Sequence, residues 1–244
     1  MRAAILDLDG VITSTEKLHA RSWKQMFDAY FEERNRREGT QFAPFSIERD
    51  YREHVDGKPR YDGVRDMLAA RGIEIPEGKS DDDPDRETVR GLGNRKNRTF
   101  LDLVQSEGVQ AYTDAEAQIR RWRRAGLRLA VVSSSRNCGS IVEAAGLADL
   151  FDIRVDGNDL AHSALKGKPA PDMFLEAARR LGVRPEQAAI FEDAISGVQA
   201  GRAGRFRWVV GVDRSGDGEL ERHGANVVVA RLDELEIPPE ESHS

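Results

Sequence analysis

The sequence predicts an α/β fold, a doubly wound parallel sheet interrupted after its first strand by a helical insertion. Short continuous apolar runs rich in β-branched residues recur from about residue 106 onward, and patterns with helical spacing alternate with them. Strands of that kind, separated by helices, belong to a parallel sheet covered on both faces. Residues 15–104 differ, carrying helical stripes without a convincing buried strand.

In chain order, AAIL (3–6) is the first strand and stops at the acids of DLDG. Thr13 and Glu16 have capping-box spacing, and Trp23, Met26, Phe27 and Tyr30 then fall on one helical face. Val64, Met67 and Leu68 form a second stripe ending at Gly72, and Phe100, Leu101 and Val104 form a third. EGKSDDDPDRE (77–87) reads as a polar loop with solvated aspartates. GIEIPEGKS (72–80) imitates a phosphate-binding loop but has five residues where four are needed, and no strand-to-helix context. GLG (91–93) lacks the third glycine and preceding strand of a dinucleotide fingerprint and reads as a turn. Linkers near 13–16 and 104–112 return the chain to the sheet, so 1–14 with 105–244 form the core and 15–104 the insertion. LRLAVV (127–132), AAIF (188–191), WVVGV (208–212) and NVVV (226–229) are the remaining strands. Between them Phe174, Ala177, Ala178 and Leu181 mark a helix, with Pro171 near its start and Gly182 near its end.

Composition narrows the function. The 244 residues are 39% hydrophobic and 33% charged, with no run long enough to span a bilayer and no secretory signal, so the expectation is a cytoplasmic protein. Cys138 is the one cysteine, which rules out an intrachain disulfide and leaves a free thiol on a loop or helix start. A net charge of −6 argues against a nucleic-acid partner. RWRR (121–124) is the densest basic cluster, but Ile119 and Trp122 give it an apolar stripe, and a solvated helix face accounts for it.

In an open parallel sheet, ligands bind beyond the carboxyl ends of the strands. Asp7 and Asp9 follow the first strand, Ser133, Ser134 and Ser135 follow LRLAVV, and Glu192 and Asp193 follow AAIF. Lys168, in the turn GKPAPDMF, can reach the same crevice. Taken singly, each has a plainer reading: a polar turn, a helix cap, a solvated lysine, acids at a helix start. Together they recur in order at the right strand ends. Clustered carboxylates repel unless a cation holds them, and an oxygen-only donor set suits Mg²⁺, a metal commonly shared with substrate phosphate.

DLDGVIT, VVSSS, GKPAPDMF and FEDAISGVQA resemble, in order, the four motifs of the haloacid dehalogenase superfamily of phosphohydrolases. TEKLHARSW, SSSRN and RKN (95–97) are similar to its β-phosphoglucomutase-like branch. The resemblance implies a Rossmann-like core with an inserted α-helical cap domain. It implies Asp7 as the nucleophile that becomes an aspartyl phosphate and Asp9 as general acid and base. Mg²⁺ would be bound by Asp7, the Asp9 main-chain carbonyl and Asp193, with Glu192 nearby. Ser133 would hydrogen-bond the phosphoryl group and Lys168 would offset its charge. Arg60, in GKPR (57–60), would hold the substrate's non-transferring phosphate, and Lys96 would line the sugar site. Thr15 and His19 would couple cap closure to Asp9, and Ser135, Arg136 and Asn137 would lie at the substrate.

Three departures bear on the cap: Asp56 stands where the branch's familiar mutase has a lysine, the 77–93 loop is longer, and AYTDA (111–115) replaces a proline-glycine turn. The expected activity is β-phosphoglucomutase, interconverting β-glucose 1-phosphate and glucose 6-phosphate, with a sugar phosphate as small-molecule partner, no nucleic acid, no membrane and a monomeric chain. Alternatives are a hexose-phosphate phosphatase on the same scaffold and, from another class, an aspartate-phosphorylated signalling receiver. Receivers are far shorter and lack a helical cap.

Overall fold

The structure is a computed structural model that describes residues 1–216 and 218–235. In chain order it contains β1 (Ala3–Asp7), α1 (Glu16–Glu38), a π-helical segment (Ile47–Val55), α2 (Arg60–Ala70), α3 (Val89–Glu107), α4 (Thr113–Arg124) and β2 (Arg128–Val132). There follow α5 (Cys138–Ala144), β3 (Ile153–Val155), α6 (Gly157–His162), α7 (Asp172–Leu181), β4 (Ala188–Glu192), α8 (Ile195–Ala203), β5 (Trp208–Val212), α9 (Glu219–Arg222) and β6 (Val227–Val229). The chain divides into a sheet unit, Met1–Ser14 with Val109–Ser244, and a helical unit, Thr15–Gly108. The second boundary lies at 108/109 rather than 104/105, because α3 continues through Glu107 and stops only at Gly108, whose N–H donates to the Val104 carbonyl.

Among the described residues, the sheet unit holds six parallel strands in the order β3-β2-β1-β4-β5-β6. The order reverses between β1 and β4, the switch point at which open α/β sheets bind ligands. Register explains what meets there. Asp7 lies opposite Val132, the residue before Ser133, and Leu6 lies opposite Phe191, the residue before Glu192. Ile5, Ala130, Val132 and Ile190 pack with Met173, Phe174, Ala177, Ala178 and Leu181 of α7. The next residue along β4, Phe191, meets Trp122 of α4 at 4.8 Å between ring centroids. Burying strands on both faces in this way removes their alternation and leaves the uniform apolar runs seen in the sequence. The edge strand β3, only IRV and partly exposed, has too little apolar signal to stand out.

The helical unit packs α1 against α2, α3 and the π-helical segment around Trp23, Met26, Phe27, Tyr30, Phe31, Phe45, Val64, Met67 and Leu68. Phe27 stacks with Trp23, Phe31 and Phe45 at centroid distances of 5.6, 5.5 and 5.3 Å. Several local expectations are corrected. Thr13 does not cap α1, which begins after Thr15; the Thr13 hydroxyl donates to the Leu8 carbonyl at 3.2 Å. GLG (91–93) lies inside α3, with Thr88 capping it by accepting from the Gly91 N–H. The buried stripe of α3 is Val89, Leu92, Lys96 and Phe100, and Leu101 faces outward. Asp82 in the 77–87 loop is buried, accepting from the Thr88 hydroxyl and the Lys79 N–H.

Candidate active site

Asp7 is the last residue of β1, and the next peptides turn sharply: Ile12 and Thr13 N–H both donate to the Leu8 carbonyl, and Gly10 N–H to the Thr13 carbonyl. Gly10 has φ +79°, and a Cβ there would collide with the Asp193 carboxylate, so glycine is required both for the turn and for the approach of that acid. Glu192 ends β4 and is fully buried; a side chain at Gly197, in the first turn of α8, would strike its carboxylate.

Lys168, 3% exposed, donates to both Asp7 Oδ1 and Glu192 Oε1. Glu192 Oε2 accepts from the Ala194 N–H at 3.1 Å, and Asp7 Oδ2 accepts from the Asp9 N–H at 2.9 Å. The half-buried Asp9 accepts from the Ser133 hydroxyl at 3.3 Å. Ser133 Oγ in turn accepts from the Ser135 N–H, and Ser135 Oγ from the Asn137 N–H, both at 3.1 Å, which fixes the loop after β2. Arg136 on that loop is exposed, and its carbonyl accepts from Asn158. Thus Asp7, Asp9, Ser133, Lys168, Glu192 and Asp193 gather at the strand ends of the sheet unit, with Ser135, Arg136 and Asn137 on the adjoining loop.

Burial raises the Asp7 carboxyl well above its ordinary range; Lys168 opposes the shift, while Glu192 and Asp9 add to it. Burial also works against the Lys168 charge, but Asp7 and Glu192 outweigh it and hold the ammonium protonated. One lysine facing several acids leaves the site short of positive charge. Asp7, Glu192 and Asp193 offer carboxylate oxygens all within 4.8 Å of one another, a donor set that fits a hard divalent cation. Cys138 is buried and its thiol is pushed upward chiefly by burial, so it is not a reactive group.

The other expected residues lie in the helical unit. Thr15 is buried at the start of α1. Lys96 Nζ meets His19 Nδ1 at 2.6 Å, with the His19 ring stacked 4.0 Å from Phe100 and the ammonium over the rings of Trp23 and Phe100. With the ammonium as donor, Nδ1 is the acceptor. Arg60 opens α2 and donates to the Tyr61 hydroxyl at 3.1 Å, which donates to Asn94 at 2.8 Å.

Residues 1–205 match the family described as a haloacid dehalogenase-like hydrolase. The chain belongs to the haloacid dehalogenase-like hydrolase family. A β-phosphoglucomutase of Mycobacterium bovis is 50% identical over 239 residues, covering 96% of this chain and 91% of that protein. The β-phosphoglucomutase of Bacillus subtilis is 31% identical over 97% of this chain and 92% of its own. The crystal structure of β-phosphoglucomutase from Clostridium difficile shares the fold, with a TM-score of 0.75 at 23% identity over 97% of this chain and 93% of that one. Membership places the chain among the phosphoryl-transfer enzymes of the haloacid dehalogenase superfamily, in the β-phosphoglucomutase-like branch.

The strand-end rule applied to β5 would also have singled out Asp213 and Arg214, which the sequence reading passed over. Asp213 closes a turn by accepting from the Gly216 and Gly218 N–H groups at 2.7 and 2.9 Å. Among the described residues, no helix is long and apolar enough to cross a membrane.

Proposed function

We propose that the protein is a magnesium-dependent β-phosphoglucomutase, converting β-glucose 1-phosphate to glucose 6-phosphate through a bisphosphate. The observation that carries this reading is the unequal setting of two acids one residue apart. Asp7 is buried against Lys168, whereas Asp9 is half-buried and touches Ser133. The first is suited to attack phosphorus and the second to exchange a proton.

In the phosphorylated enzyme, Asp9 removes the proton from the C6 hydroxyl of β-glucose 1-phosphate. That oxygen bonds to phosphorus as the Asp7–phosphorus bond breaks, giving the bisphosphate. After the sugar turns round, Asp7 attacks the C1 phosphoryl group, the bond between phosphorus and O1 breaks, and Asp9 returns the proton to O1. Glucose 6-phosphate and the phosphorylated enzyme result, and no water is consumed. Lys168 balances charge on Asp7, and Ser133 donates to a phosphoryl oxygen as charge develops there. Glu192, engaged by Lys168 and the Ala194 N–H, holds the lysine in place. Asp7, Asp193 and the Asp9 carbonyl would hold Mg²⁺, which when bound neutralises charge between carboxylate and phosphate. In the helical unit Arg60 would take the non-transferring phosphate, and Lys96, held by His19, the sugar.

The test supplies β-glucose 1-phosphate, Mg²⁺ and a trace of glucose 1,6-bisphosphate and follows glucose 6-phosphate and free phosphate together. Isomer without matching phosphate is expected. Phosphate release alone would make the protein a sugar-phosphate phosphatase, and neither product would remove the glucose reading.

A further inference from the structure

We infer that Arg214 is a positioning residue for the acid pair, clamping the backbone that carries Asp9 so that its carboxylate stays in line for proton transfer. The inference rests on the roles given above to Asp7 and Asp9, not on the identity of the sugar.

Arg214 lies two residues beyond the end of β5, at the same carboxyl end of the parallel strands as the acids. Its Nε donates to the Gly10 carbonyl at 3.0 Å and its Nη2 to the Val11 carbonyl at 3.1 Å. Nη1 and Nη2 together grip the buried Asp114 carboxylate at 3.2 and 3.1 Å, and Nη1 also reaches the Ala230 carbonyl at 3.5 Å. A guanidinium has five N–H donors in a fixed fork, and here all five have acceptors. The group also lies 3.6 Å over the Tyr112 ring. Asp114 is held in its turn, accepting from the Leu232 N–H at 2.9 Å, and the Tyr112 N–H donates to the Ile12 carbonyl at 2.9 Å.

The loop between Asp7 and Ser14 turns its N–H groups inward, Asp9 to Asp7, Gly10 to Thr13, and Ile12 and Thr13 to Leu8. The outward carbonyls of Gly10 and Val11 meet the arginine. Tilting the Gly10–Val11 and Val11–Ile12 peptides, which carry those carbonyls, would shift the backbone of Asp9 just before them and with it the carboxylate, relative to both Ser133 and Asp7. Lysine, a point charge without the fork, cannot hold these acceptors in one plane. A displacement of about 1 Å in a reacting group can cost about 100-fold in rate.

The consequence depends on the leaving group. An alkyl oxygen needs the Asp9 proton as its bond to phosphorus breaks, whereas p-nitrophenolate departs without one. Hydrolysis of benzyl phosphate and p-nitrophenyl phosphate is therefore compared in wild type, Arg214→Lys, Arg214→Met and Asp9→Asn, reading free phosphate. Both Arg214 variants are expected to lose about 100-fold in kcat/KM on benzyl phosphate and less than about threefold on p-nitrophenyl phosphate, following the direction of Asp9→Asn. A merely structural role lowers the folded fraction and reduces both rates by the same factor, so the ratio remains informative even for an unstable variant. Equal losses on the two esters, or no loss, would overturn the inference while leaving the proposed function standing. A wild type inert on both esters would overturn the inference, which expects turnover of each, while glucose 6-phosphate formation would still report separately on the proposed function.

Discussion

Asp7 and Lys168 illustrate how burial ties two common side chains together: alone it would favour the neutral carboxyl and the neutral amine, and their pairing opposes both shifts. Replacing Asp7 with Asn removes the nucleophile and one charge of the cation site, and product formation from β-glucose 1-phosphate is expected to fall by about 10⁴-fold or more. Rapid-quench labelling should then trap no phosphate on the protein; undiminished labelling would move the nucleophile elsewhere. Lys168→Met acts on stability as well as rate, because Asp7 and Glu192 are both buried and would lose their shared cation. Breaking a buried ion pair from one side costs about 3–5 kcal/mol. Urea denaturation should show that loss, and adding Glu192→Gln to the variant should recover part of it by removing one unpaired charge. The acids were legible in the sequence because each interrupts an apolar run at a strand end. The same rule at β5 points to the position of Arg214 but not to its role, because what gives it meaning is a pair of backbone carbonyls 204 and 203 positions away, and carbonyl positions leave no mark on residue type.

At the scale of the element, register does the placing: pairing Leu6 with Phe191 sets Asp7 beside Glu192, and pairing Asp7 with Val132 brings Ser133 next. The start of α8 completes the arrangement by passing close to Glu192 at Gly197. Gly197→Ala would ordinarily favour a helix, since alanine has the better propensity. Here the added methyl has to displace a fully buried carboxylate that holds Lys168, and overpacking of this kind costs about 1–3 kcal/mol. The expected result is a lower thermal midpoint and loss of turnover together; a stabilised, active variant would mean that α8 and Glu192 lie farther apart than described. Central strands were readable because they are buried on both faces, while β3, short and half exposed, was not. The helical unit was readable along α1, where Trp23, Met26, Phe27 and Tyr30 keep strict spacing. It misled along α3, whose buried stripe runs through a position that periodicity of apolar residues cannot flag: Lys96, a charged residue.

For the molecule as a whole, three tryptophans divide between the two units in a way that lets one unit be observed alone. Trp23 is buried in the helical unit, whereas Trp122 and Trp208 belong to the sheet unit, the first packed on Phe191 and the second 41% exposed. In a Trp23→Phe variant the intrinsic fluorescence therefore reports unfolding of the sheet unit. A ligand that binds only the folded state adds about 2.7 kcal/mol at a hundredfold excess over its dissociation constant. For a unit of this size, each kcal/mol raises the midpoint by about 2–4 °C, so saturating Mg²⁺ should raise it by about 5–10 °C. The cation would offset the repulsion among Asp7, Glu192 and Asp193 that one lysine leaves uncompensated. Asp193→Asn should abolish most of the gain while raising the midpoint without metal, because it deletes one of the crowded charges. If Mg²⁺ left the midpoint where it was, or raised it equally after Asp193→Asn, Asp7 and Asp193 would not hold the metal, and Lys168 alone would be left to balance the charge on Asp7.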